Sequence, residues 1–394
     1  MPTAPRRLLY VSNMVPGVPG GGEVMVYRHL RCLVDAGWAV TVSPPAAAVR
    51  PLPAGHGFEM LPLPRRKFWW PPADPRLAAT QWLRARLWFQ AVRSNPAWTE
   101  NPPDCVLTVL WGHASHTAAL LAREWGVPLA VWVHDLFREM GLPARAERDG
   151  ERLTRSVLSS AERVWTVSEE LGAAMEPLCL PGTVRPLTPV PEQGAAPTGG
   201  WTPRFRAGPV VAHAGAFHAH HVDYLAAVAA AAGRLGGGLI VITAAGNPAL
   251  GMLRATGAAF RHQPAFGSSA EALRFLAAEA SALTIMYPLD PGAYRHPPLG
   301  FPSRLIEFSH LGLPILIAAP PGNPVVNWAA RNRWPLVLEH ADWTALETSV
   351  RRLSCESDWR SLSARMQAIA LEACDPSRIH RQFLEELPRR RPQA

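Results

Sequence analysis

Lysine is almost missing from this chain of 394 residues: Lys67 is the single one, and arginine supplies the rest of the 39 basic side chains. Cysteine is scarce as well. The five residues Cys32, Cys105, Cys179, Cys355 and Cys374 show no CxxC spacing, which argues against a zinc site and a disulfide framework and fits a reducing compartment. There is no GxGxxG and no GxxxxGK[ST], so the sequence gives no support to nicotinamide or P-loop chemistry. Long apolar runs are lacking too. No stretch reaches the roughly 20 residues that span a bilayer, and the run at 8–11 is far too short for a secretory signal. These absences lead to the expectation of a cytoplasmic protein.

The net charge of +8 and pI near 9.8 could draw nucleic acid, a membrane surface or phosphorylated ligands. They also follow from a composition rich in Ala, Pro, Arg and Gly. The arginines are dispersed and no nucleic-acid module is recognisable, so nucleic acid is not an expected partner. With 48% hydrophobic and 18% charged residues there is ample material for large buried sheets. The length favours two domains.

Short apolar runs at 7–12, 38–43, 105–110, 128–133 and 163–167 read as strands. They are continuous rather than alternating, as suits parallel strands covered on both faces. Helical patterns separate them, beginning with 23–36 and its Gly37 stop. Residues 192–205 (EQGAAPTGGWTPRF) read as a linker, after which strands at 210–213, 239–243, 283–287 and 314–318 alternate with helices at 222–235, 269–280 and 303–311. The expected fold is α/β, with two Rossmann-like doubly wound domains at 1–195 and 205–375. A C-terminal helix and a disordered basic tail then occupy 376–394.

Three segments carry candidate chemistry. The loop at 14–22 (MVPGVPGGG) lies between a strand and a helix, where glycine lets a backbone approach a ligand and a helix N-terminus favours an anion. A flexible loop without a ligand is the alternative. His134 follows the strand at 128–133, at the carboxyl end where open parallel sheets bind ligands. It can hydrogen-bond a sugar hydroxyl or steady transition-state charge, or it can simply cap the next helix. At 302–318 (PSRLIEFSHLGLPILIA), Pro302 and Ser303 start a helix, and Glu307 sits one turn in between Ile306 and Phe308. A carboxylate there suits vicinal ribose hydroxyls, and Arg304 suits a diphosphate. An ordinary helix–strand unit with both side chains solvated is the bland reading.

The order of these motifs resembles the GT4-like group of GT-B glycosyltransferases over most of the chain. The resemblance rests on PGGGEV at 19–24, VHD at 133–135, ERVWTVSEEL at 162–171 and PSRLIEF…GLPIL at 302–316. It implies two domains facing across a cleft. It also implies transfer of a sugar from a nucleoside diphosphate sugar to an acceptor hydroxyl, with retention and without a metal. In that reading Glu307 binds the donor ribose, His134 contacts the transferred sugar, and Gly21 and Gly22 lie near the phosphates or the acceptor. His262 and Gln263 fall where the base is held. Gly215, Ser303 and Arg304 complete the donor set. No cofactor is implied beyond the co-substrate.

Two positions depart from the family pattern. Leu299 stands where a Glu-x7-Glu motif has its first Glu, and His218, His220 and His221 follow Gly215 where an Arg and a Lys are usual. The histidines also admit a metal reading, although no Asp-x-Asp motif is present. The acceptor is a glycan, a lipid-linked molecule or a small molecule. Basic and aromatic residues at 65–93 leave room for an anionic membrane surface at the inner face, or for a plain helix with Trp in the core. A nucleotide-sugar epimerase of GT-B shape and a non-catalytic, degenerate transferase serving as a binding partner remain as alternatives.

Overall fold

The computed structural model describes residues 5–17, 20–45, 52, 55–62, 78–136, 144–192, 202–290 and 298–390. The chain forms two compact units. The first holds residues up to Pro189 together with Pro298–Phe301 and Ser377–Ala394; the second holds Val190–Pro297 and Pro302–Pro376.

The first unit is one parallel sheet of seven strands: β1 (Arg7–Val11), β2 (Ala39–Ser43), β3 (Glu59–Met60), β4 (Cys105–Val109), β5 (Leu129–Val133), β6 (Arg163–Thr166) and β7 (Val184–Pro186). The strand order is β3-β2-β1-β4-β5-β6-β7. The helices between them are α1 (Gly21–Asp35), α2 (Ala78–Arg93), α3 (Pro96–Thr99), α4 (Gly112–Trp125), α5 (Ala144–Leu158) and α6 (Glu169–Met175). Strands β4 and β5 are buried at every position, which is why their sequences are unbroken apolar runs. The chain reverses its winding between β1 and β4, so the carboxyl ends of those two strands flank a crevice.

The second unit repeats this plan with β8 (Val210–Ala214), β9 (Gly238–Thr243), β10 (Phe260–Pro264), β11 (Ala282–Met286), β12 (Ile315–Ala318) and β13 (Val337–Leu338). Their order is β10-β9-β8-β11-β12-β13, all parallel, with the reversal between β8 and β11. The helices are α7 (Val222–Arg234), α8 (Pro248–Ala255), α9 (Ser269–Glu279), α10 (Ser303–Ser309), α11 (Pro324–Arg331), α12 (Trp343–Leu353) and α13 (Glu356–Ala373). Local chemistry sets several boundaries. Helices α3, α8 and α11 each begin Asn-Pro: the Asn side chain accepts a bond from the amide two residues on, and Pro takes the first helical position, where its missing N–H costs nothing. Gly126 ends α4 in the left-handed conformation.

The last helix, α14 (Pro376–Glu386), begins where the C-terminal helix is expected, and it packs within the first unit. Phe383 is fully buried and stacks on Trp132 at 5.3 Å, while the Trp165 indole donates to the Glu386 carboxylate at 2.8 Å. Two buried tryptophans on adjacent strands need an apolar cover, and this helix supplies it. Most of the expected linker, residues 193–201, lies outside the described residues, as do 391–394 of the expected tail. No described helix is long and apolar enough to cross a membrane.

Candidate functional site

Two sets of side chains gather at carboxyl ends of strands, one in each unit.

In the first unit, His134 directly follows β5. Burial pushes its imidazole down to about 4, so the ring is neutral near pH 7, and its Nε2 is shut off from solvent with no hydrogen-bond partner. Gly22 lies against it. A Cβ at Gly22 would sit 2.9 Å from the His134 Nδ1 and 2.8 Å from the Met14 sulfur, so only glycine fits without displacing them. Met14 is itself fixed, since its carbonyl accepts from the Tyr10 hydroxyl at 2.8 Å and its amide donates to Ser12 Oγ at 3.0 Å. The 14–22 loop and the end of β5 are thus in contact. Gly21 opens α1 and is exposed.

The segment 298–301 belongs to this unit. The Leu299 carbonyl accepts from Ser168 Oγ at 2.9 Å, and its side chain packs on the first unit's core. A leucine in place of an acid therefore serves as an apolar anchor. A Cβ at Gly300 would meet the Asp135 carboxylate at 2.6 Å, and burial raises the Asp135 pKa.

In the second unit the focus is Gly215, at the end of β8. Its φ of +115° is open to glycine and strained for other residues, and its amide donates to the Ile242 carbonyl at 3.1 Å. The Arg304 guanidinium lies over it: a Cβ there would fall 2.3 Å from Nη1. Arg304 Nη1 also donates to the Ala214 carbonyl. Burial lowers its pKa, yet an arginine in a protein stays charged. Ser303 is the first residue of α10 and Glu307 sits one turn in, half-buried.

The histidines after Gly215 form a packed group. His220 and His221 meet edge to face at 4.1 Å, and the His218 amide donates to His221 Nδ1 at 3.2 Å. Burial, then the neighbouring histidines and Arg304, push His221 down to about 2; burial and His218 lower His220. Behind them His213 is pushed down to about 3 by burial and by Arg304. His220, His221 and His213 are therefore neutral near pH 7 and cannot stand in for an Arg and a Lys as charges. Among the described residues, no group of three or more His, Cys, Asp or Glu could hold a metal. Arg295, another candidate for the missing charge, lies outside the described residues.

His262 and Gln263 lie on β10, the sheet-edge strand, with a His262 ring nitrogen 3.1 Å from the Thr243 carbonyl. They are two strands from β8, and no described contact joins them to Arg304.

Residues 20–186 match the glycosyl transferase 4-like domain family. Solved structures share the fold over nearly the whole chain. An Anabaena protein, HepE, in complex with UDP and glucose has 13% identity and a TM-score of 0.68, covering 97% of this chain and 99% of its own. A glycosyltransferase from Rickettsia africae has 10% identity and a TM-score of 0.69, covering 97% and 98%. WaaG, a glycosyltransferase of lipopolysaccharide biosynthesis, has 13% identity and a TM-score of 0.65, covering 97% and 99%. No curated protein matches the sequence. The likeness to these structures shows the fold, two Rossmann-like domains.

Sequence reasoning missed Asn13 and Trp111. The Asn13 amide donates to the Trp111 carbonyl at 3.3 Å, tying the end of β1 to the end of β4 at the crevice. The rule that selected His134, the residue just past a buried strand, applies equally to Trp111.

Proposed function

We propose that this protein transfers a sugar from a nucleoside diphosphate sugar to an acceptor hydroxyl, with retention of configuration and without an obligatory metal. The observation that carries the reading is Arg304 held over the bare backbone of Gly215 at the carboxyl end of β8. A charged guanidinium beside a glycine that no side chain can cover is suited to a diphosphate, which needs both a cation and close approach. The three structural relatives add support, since the Anabaena protein was solved with UDP and with UDP-glucose.

In this reading the bond between the anomeric carbon and the diphosphate oxygen breaks, and the nucleoside diphosphate departs with the electron pair. Arg304 stabilises the charge that develops on it. The acceptor oxygen bonds to the same face of the anomeric carbon, and its proton passes to the departing phosphate. Neutral His134 hydrogen-bonds the transferred sugar, and Glu307 accepts from both ribose hydroxyls. His262 and Gln263 border the base.

The test is release of nucleoside diphosphate from UDP-, GDP-, ADP- and TDP-sugars with and without added acceptors. Acceptor-stimulated release, lost in His134→Ala, is expected. Sugar turnover without transfer supports an epimerase instead, and failure to bind any of these nucleotides overturns the enzymatic reading.

A membrane-surface role has one observation in its favour: Trp82 and Leu83 on α2 are 39% and 45% exposed, with Arg86 over the Trp82 ring. Arg93 is instead paired with Glu124 at 2.6 Å, and the basic cluster at 65–70 lies outside the described residues. Co-sedimentation with phosphatidylglycerol vesicles tests this, and equal pelleting with phosphatidylcholine removes it.

A further inference from the structure

Three successive residues after β8 are tied to the body of the second unit through their backbone. The Gly215 amide donates to the Ile242 carbonyl at 3.1 Å. The Ala216 carbonyl accepts from His213 Nε2 at 3.1 Å, and the Phe217 carbonyl accepts from Asn247 Nδ2 at 2.9 Å. A carbonyl only accepts, so His213 Nε2 carries the proton. The Asn247 side chain is oriented just as firmly. Its Oδ1 takes the Ala249 amide at 2.9 Å, which turns its NH2 group to Phe217 and to Thr243 Oγ1 at 3.2 Å.

Local folding asks for neither donor. Asn247 caps α8, but Ser, Thr or Asp caps a helix as well. Asn95 caps α3 in the same Asn-Pro setting, and no described contact uses its NH2 group. His213 is 1% exposed in a strand whose other buried residues, Val211, Ala212 and Ala214, are apolar. An imidazole in that position carries a desolvation cost that an apolar side chain would not. In both cases the polar group exceeds what its own element needs, and its donor ends on the loop 215–217.

That loop is where the fold leaves room for an anion. Gly215 and Ala216 are exposed, and the Arg304 guanidinium lies over the bare Gly215. A backbone carbonyl facing a diphosphate repels it, and a loop that its ligand must order weakens binding. Bonding both carbonyls to the unit occupies them and orders the loop in advance. Phe217 adds to this, being 3% exposed and stacked on His221 at 6.4 Å.

We propose that His213 and Asn247 are positioning residues for the donor diphosphate. They lock the loop 215–217 in the shape that leaves the Gly215 backbone and Arg304 to the anion, and they act through the loop without touching the ligand. The inference rests on the transferase reading, because it concerns the diphosphate site of that reaction.

The experiment is calorimetry with UDP, GDP, ADP and TDP on wild type, Asn247→Ser, Asn95→Ser, His213→Phe and His213→Gln. Asn247→Ser keeps a capping oxygen and removes the donor to Phe217, so nucleotide affinity should fall about tenfold. Asn95→Ser makes the same cap change in the first unit and should leave affinity at the wild-type value. His213→Phe should weaken binding to a similar degree. His213→Gln, whose NH2 group can reach the Ala216 carbonyl, should restore it, whereas a role in packing alone would favour the ring of phenylalanine. Wild-type affinity in both Asn247→Ser and His213→Phe overturns the proposal. So does an equal loss in Asn95→Ser, or a His213→Gln variant that binds no better than His213→Phe. Wild-type protein that binds none of these nucleotides overturns the transferase reading and the proposal with it.

Discussion

The carboxyl edges of the two sheets are built on one plan and carry opposite chemistry. The first unit's edge has an exposed indole, a neutral imidazole and acids, with no Arg or Lys among its described residues. The second unit's edge has a deeply set arginine over a glycine backbone, with His213, His220 and His221 behind it held neutral. The same winding reversal thus sets a neutral imidazole against a glycine turn in one unit and a guanidinium over a bare glycine backbone in the other. The difference teaches that function here is decided by the few residues just past each strand, since the strands themselves are interchangeable apolar runs.

The comparison breaks most readily at Arg304. Replacing it with alanine removes the charge from the second edge, and affinity for a nucleoside diphosphate should fall about 100-fold by calorimetry. A variant that binds as tightly as wild type would show that the anion sits elsewhere.

Acid sharpens the contrast next. A histidine whose folded pKa is depressed resists protons that the unfolded chain accepts, so its contribution to stability is intact above pH 6.5 and is lost as pH falls toward the folded value. For His213, pushed down to about 3, the loss at pH 5 is about 2 kcal/mol. Urea unfolding at pH 7 and pH 5 should show it, and His213→Phe should reduce the difference. A midpoint independent of pH would contradict the burial assigned to this ring.

Gly22→Ala acts on the first edge alone. The added Cβ displaces Met14 or His134, and turnover should drop about tenfold while nucleotide affinity holds. Loss of nucleotide affinity instead would erase the division of labour. The smallest expected effect is that of Glu307→Ala, about fivefold in donor affinity with an unchanged melting temperature, as one shared carboxylate is lost from a half-buried position. Unchanged donor affinity would refute its ribose role.

The inner strands of both sheets were legible because burial on two faces leaves an unbroken apolar signature, and β4 and β5 match their expected spans within one residue at each end; the edge strands β7 and β10, less buried, were not. The two-residue edge strands β3 and β13 have no such signature. The docking of α14 was not legible, because the partners of Phe383, Trp132 and Trp165, lie more than 200 residues earlier in the chain. At the sites, His134 could be placed at a strand end, but its contact with Gly22 could not, since it depends on the strand order β1-β4-β5. The depressed pKa values of His213 and His221 could not be anticipated either, since they depend on burial and on the approach of Arg304. Leu299 looked like a missing acid and proves to be a packing anchor on the first unit.

The most direct test of the account is a calorimetric titration of UDP, GDP, ADP and TDP into wild-type protein, Arg304→Ala and Gly22→Ala. The account predicts that at least one nucleotide binds wild type, that Arg304→Ala loses most of that affinity, and that Gly22→Ala keeps it. Binding of no nucleotide, or affinity lost in Gly22→Ala and kept in Arg304→Ala, would contradict it.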